Sequence, residues 1–215
     1  MDNTSLALLI HELRNQCIYT EVSFRVFNQS IEDKMQAGAF YAAQSTLLTA
    51  SQIGNTIWPR RSRARKRGEH LRGVLQLDDK HPLNNKKLLS VWDRSDEKFD
   101  EWVTSTKGKQ IIFDHIGPIP EVDGKQIEEE ALFRLYDPSS MVLYFRGVGF
   151  QMQSIANAIA DIYTRVTAVH KSLLPQQYSV PQEQQPPAET ETKPGDQKKT
   201  KKKAAPKNKS PAKKT

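Results

Sequence analysis

Leu6, Ile10, Leu13, Cys17, Phe24, Phe27 and Ile31 recur at steps of three, four or seven residues, drawing one apolar stripe down a long helix. A helix of this kind is stable only when that stripe is buried against another element, so the opening of the chain already demands helix–helix packing. Asn3, Thr4 or Ser5 can cap its start. A second periodic stretch runs from about Ile31 through Ala39, Tyr41, Leu47, Leu48, Ile53 and Ile57 and ends at Pro59. A third helix is expected over about residues 62–77. A fourth is expected over about residues 84–106, with Leu88, Leu89, Trp92, Phe99, Trp102 and Val103 on its buried side and Gly108 as its stop. Short links between such helices favour antiparallel neighbours in a bundle.

The pattern changes after residue 108. Gln110 to Phe113, Ala131 to Tyr136 and Met141 to Phe145 are short β-prone runs, and Asp137-Pro138-Ser139-Ser140 between the last two is good turn chemistry. This predicts a hairpin near residues 131–146, with Gly147 and Gly149 interrupting its second strand at the end. Met152, Ile155, Ile159, Ile162, Tyr163 and Val166 then mark a closing helix that Pro175 terminates. The expected fold is mainly α, an antiparallel helical bundle of four to five helices with a small β-hairpin insertion before the last helix.

The formal charge of +7 is concentrated beyond that helix: residues 175–215 hold ten Lys against four acids, and residues 1–174 hold 22 basic against 21 acidic side chains. Residues 1–174 therefore read as one nearly neutral domain. Residues 175–197 are rich in Pro, Gln, Glu and Thr with few large apolar side chains, a composition expected to form a disordered spacer. Residues 198–215 carry nine lysines and no acid and are expected to be a disordered polycation: Lys198, Lys199, Lys201, Lys202, Lys203, Lys207, Lys209, Lys213 and Lys214. Such a run attaches to RNA or DNA without reading sequence, because it neutralises phosphates and releases counterions. A lone cysteine allows no internal disulfide, no run is apolar enough for a membrane span, and residues 1–5 lack a secretory start. The expected address is cytoplasmic.

Two blocks carry a family resemblance. The run from Asn84 to Trp102, in which Asp96, Glu97, Asp100 and Trp102 keep the frame, resembles a segment of a bacterial branch related to the HEPN superfamily. Phe133-Arg134-Leu135-Tyr136-Asp137-Pro138, followed by Leu143-Tyr144-Phe145-Arg146-Gly147, resembles the hairpin of the same group. The resemblance implies a helical HEPN-like domain. HEPN ribonucleases engage RNA with an Arg and a His a few residues apart on one helix, usually with a polar residue after the Arg. In the register of the resemblance, Leu89, Ser90 and Arg94 occupy those places. Leu cannot bind phosphate, and an Arg does not give up its proton near neutral pH. The resemblance thus implies the fold without the usual ribonuclease chemistry.

Outside that register, Arg65 and His70 satisfy a bare Arg-x4-His spacing and are the weak catalytic candidates. Seven basic residues crowd the segment: Arg60, Arg61, Arg63, Arg65, Lys66, Arg67 and Arg72. This cluster can form a phosphate-binding ridge, doubled if the domain forms a homodimer, or a solvated helix face neutralised by Asp93, Asp96, Glu97, Asp100 and Glu101. His11, Glu12 and Arg14, Asp114 with His115, and Glu128-Glu129-Glu130 lack metal-ligand or triad spacing, so no metal or cofactor is expected. Three functions fit. The chain can be a catalytically silent HEPN-like accessory or adaptor that binds nucleic acid non-specifically, a ribonuclease using Arg65 and His70, or a protein-interaction or small-molecule-binding bundle with a solubilising tail.

Overall fold

The computed structural model describes residues 1–174, so the spacer and the lysine-rich segment lie outside the described residues. The described chain is mainly helical, with a small β-sheet before the last helix. Helix α1 spans Asn3–Glu32 and α2 spans Gln36–Ile57. The Asp2 carboxylate caps α1 by accepting the Ser5 N–H at 2.9 Å, one position before the expected caps. Helix α1 packs along α2 and also along α6, Met152–Leu173.

The stripe on α1 is buried through Leu6, Ile10, Leu13, Cys17 and Phe27, whereas Phe24 and Ile31 are only partly covered. On α2 the buried face is small: Ala39, Ala42, Ala43 and Ala50 sit between Phe40, Leu47, Ile53 and Ile57. Tyr41 and Leu48, which the periodicity assigns to the core, are exposed. The alanines decide this, because their short side chains let the α1 backbone approach closely and leave the bulkier neighbours outside. Met152, Ile155, Ile159, Ile162 and Val166 close the core from α6.

Helix α3, Arg65–Leu75, follows a 3-10 turn at Ser62–Ala64. The single helix expected over residues 84–106 is two, α4 at Lys86–Leu89 and α5 at Ser95–Ser105. Arg94 between them is left-handed, with φ 43°, which no continuous helix accommodates. The separation also turns α5 outward. It buries Trp102 alone, while Phe99 and Val103 are 42% and 48% exposed.

The β region exceeds the expected hairpin. Strands β1 (Ile112–Ile116), β4 (Leu132–Asp137), β5 (Val142–Phe145) and β6 (Val148–Gln151) form one mixed sheet in the order β1-β4-β5-β6. β1 runs parallel to β4, with Ile112 opposite Leu132, and the other pairs are antiparallel. Strands β2 (Glu121–Val122) and β3 (Lys125–Gln126) form a separate two-stranded ladder closed by Asp123-Gly124. Gly147 does not interrupt a strand. It completes a two-residue turn between β5 and β6, and Gly149 lies within β6.

Candidate functional site

The basic segment begins where α2 must end. A residue before proline is pushed out of the helical region, so Trp58 closes α2, donating its N–H to the Gly54 carbonyl at 2.7 Å, and Pro59 redirects the chain. Helix α3 then returns against that end. Gly68 permits the approach: a Cβ there would lie 2.4 Å from Pro59 Cδ and 2.8 Å from the Ile57 carbonyl oxygen.

The last carbonyls of α2 have no helical partners and carry the negative end of its dipole. Two arginines of α3 cover them. Arg72 Nη1 donates to the Ile57 carbonyl at 2.8 Å, and Arg67 Nη2 lies 3.5 Å from the Asn55 and Thr56 carbonyls. Arg72 also pairs with Asp79 at 3.3 Å. The structure therefore gives part of the basic cluster a folding role that residue spacing did not disclose. Arg67 is not fully satisfied by it, because its Nε is buried without a hydrogen-bond partner.

Arg67 also lines, with three arginines that precede α3, a cleft of about 670 Å³. Arg60, Arg61, Arg63 and Arg67 line one side, and Asp93 and Arg94 face them from the α4–α5 turn. Arg60 is ion-paired with Asp93, and Arg94 with Glu97 at 2.8 Å. Neither the Arg61 nor the Arg63 side chain makes a hydrogen bond or ion pair among the described residues, and both are exposed. Of the five acids expected to neutralise the ridge, Asp93 alone pairs with it; Glu97 pairs with Arg94 instead, and Asp96, Asp100 and Glu101 form no ion pair among the described residues. The cleft wall thus carries five arginines against one aspartate. A surface of that kind raises the local concentration of anions.

No family model, curated protein or solved structure matches the chain. The site must be judged on its own geometry.

The side chains of Arg65 and His70 form no hydrogen bond, ion pair or ring contact with each other among the described residues. Arg65 lines a neighbouring cleft with Glu69, Arg72 and Asp79, whereas His70 is exposed. The Leu89 position is equally uninviting to phosphate. Its side chain is 4% exposed and packs over Gly54, where a Cβ would meet Leu89 Cδ2 at 2.4 Å.

Among the described residues no group of three or more His, Cys, Asp or Glu is placed to hold a metal ion. His11 is engaged with His170 at 3.0 Å and with Asn15 at 3.1 Å, and Asp114 forms a two-point pair with Arg134. Glu128 pairs with Lys109 at 2.6 Å. Burial pushes the Cys17 thiol up to about 12, so it is protonated and unreactive near neutral pH. No described helix is long and apolar enough to cross a membrane. Asn55 carries no signal in the sequence, and Arg94, which the sequence marks only in the register of the HEPN resemblance, joins it at the cleft. The contact between residues 55–67 and 93–94 is long-range and leaves no local pattern.

Proposed function

We propose that this protein is a catalytically silent, HEPN-like accessory or adaptor module of the cytoplasm, with its long helices forming an antiparallel bundle. It holds RNA or DNA by the phosphate backbone and without base specificity. The observation that carries this reading is the cleft in which Arg60, Arg61, Arg63, Arg67 and Arg94 face a single aspartate, with Arg61 and Arg63 uncommitted to other described residues. Arginine suits this role because its planar donors match phosphate oxygens and its charge persists at every physiological pH. Lys198, Lys199, Lys201, Lys202, Lys203, Lys207, Lys209, Lys213 and Lys214 add a second attachment point that prolongs residence without adding specificity. A homodimer would double the cleft.

Silence toward RNA cleavage is supported by Leu89, Ser90 and Arg94 at the catalytic places in the register of the HEPN resemblance and by the lack of any side-chain contact between Arg65 and His70 among the described residues. The test uses full-length protein with Arg61→Glu and Arg63→Glu together. These positions are preferred to Arg67, whose reversal would also disturb the end of α2. Fluorescence anisotropy with a labelled RNA single strand and a labelled DNA duplex is expected to show at least about tenfold weaker binding to both, with unchanged thermal stability. Unchanged affinity would remove the cleft from the account.

A further inference from the structure

A second pair of cations sits in a different environment. Arg146 and Gly147 form the two-residue turn that joins Phe145 of β5 to Val148 of β6, and both have positive φ, 49° and 73°. Such a turn favours Asn or Asp before Gly, because a larger side chain is strained there. Gly147 is required, since a Cβ would lie 2.9 Å from the Glu130 Cα. Arginine before it is the unexpected choice, and its side chain shows the use. The guanidinium turns inward across the face of Phe145, 4.6 Å from the ring centroid. Nη1 donates to the Ser95 carbonyl at 2.7 Å and Nη2 to the Val91 carbonyl at 3.1 Å.

Lys98 of α5 comes to the same place and donates to the Ser90 carbonyl. Neither cation forms an ion pair with a carboxylate among the described residues. Burial holds both side chains below their ordinary pKa, and at Lys98 the Asp93 carboxylate opposes that effect while Arg146 reinforces it. Two like charges share a partly dry site, and their neutral carbonyl partners leave donors unused on each. They open, together with the exposed Lys87, on a groove of about 400 Å³ walled by Trp102, Phe145, Val148 and Phe150. The Trp102 ring is fixed by its indole N–H, which donates to the Glu130 carbonyl at 2.8 Å. The one acid on the groove is the exposed Glu101.

We infer that this groove binds a small amphipathic anion, an aromatic or aliphatic body bearing one carboxylate, which enters against the Trp102 and Phe150 walls and places its charge between Lys98 and Arg146. The groove has the size and the mainly apolar lining of a ligand pocket, with a few polar groups to fix orientation. It shares no lining residue with the arginine cleft.

The probe is 2-naphthoate, with the uncharged 2-naphthamide as its isosteric control, titrated into ¹⁵N-labelled full-length protein and followed at the Trp102 indole N–H. A saturable shift with naphthoate is expected with Kd under about 1 mM, at least tenfold tighter than with the amide. Lys98→Met keeps the stem packing and removes the charge, and is expected to weaken naphthoate at least tenfold while leaving the amide unchanged. Should Lys98→Met fail to fold, Ser105→Phe fills the mouth of the groove from an exposed position and is expected to abolish the shift with both probes. Three results each overturn the proposal: acid and amide bind within tenfold of each other, no saturable shift occurs at Trp102, or a folded variant keeps naphthoate affinity.

Discussion

The arginine cleft and the Lys98–Arg146 groove both draw residues from the α4–α5 turn, and both present cations with few acids nearby. They differ in water. At the cleft, Arg61 and Arg63 are exposed and form no ion pair among the described residues, so their charge acts over distance and is screened by salt. At the groove, Arg146 and Lys98 are partly desolvated among aromatic rings, so a charge there acts at short range and on a ligand that can leave water. The same residue chemistry therefore points to a polyanion in one place and to a small apolar anion in the other.

The largest effect should come from removing the seat of the cleft. Gly68→Ala places a Cβ against Pro59 and the Ile57 carbonyl, neither of which can move aside cheaply, and is expected to cost about 2–3 kcal/mol in denaturant unfolding. Arg146→Asn keeps a residue that tolerates the turn but removes the hydrogen bonds to residues 91 and 95, and is expected to cost about 1–3 kcal/mol. The contrast sharpens at Arg63→Ala, where stability should stay within about 0.5 kcal/mol while nucleic-acid affinity falls. Equal destabilisation at Arg63 and Arg146 would break the distinction between exposed and partly buried cations.

A pH series separates the regions further. Lys98 is held below its ordinary value, mainly by burial, so naphthoate affinity should fall as pH rises toward 10, before an ordinary lysine deprotonates. The helical body provides the smallest signal. Burial, with His11 and Arg14 nearby, holds His170 below its ordinary value, so the unfolded chain takes up the proton more readily than the folded one. Stability is then complete above about pH 6.5 and declines as pH falls through the folded value. Thermal melts at pH 7.5 and 5.5 measure the decline, and His170→Gln should flatten it.

Helices α1, α2 and α6 were legible because their apolar spacing is local and long. The break before α5 was not, because no Gly or Pro announces it and Arg94 takes the left-handed conformation instead. Phe99 and Val103 were misassigned for the same reason, since the face of a continuous helix was extended past its end. The β4–β5 hairpin was readable from Asp137-Pro138. β6 was hidden behind glycines that usually stop a strand, and the parallel β1–β4 pairing joins segments too far apart for turn chemistry to reveal. Asp123-Gly124 is a local hairpin signal, but the two-residue strands it joins are too short to carry a β pattern of their own. At the site, the arginines were visible as a cluster. Their division between covering the α2 carbonyls and lining the cleft depends on how α3 folds back over Pro59.

The most direct test of the central claim is the salt dependence of duplex-DNA binding by full-length protein. Wild type is compared with Arg61→Gln/Arg63→Gln and with a variant carrying Gln at all nine lysines of residues 198–215. Loss of two phosphate contacts should lower the magnitude of the log–log slope by about 1.8, and the lysine variant should keep salt-dependent binding. An unchanged slope in the double arginine variant, with no binding left in the lysine variant, would contradict the cleft as a nucleic-acid interface.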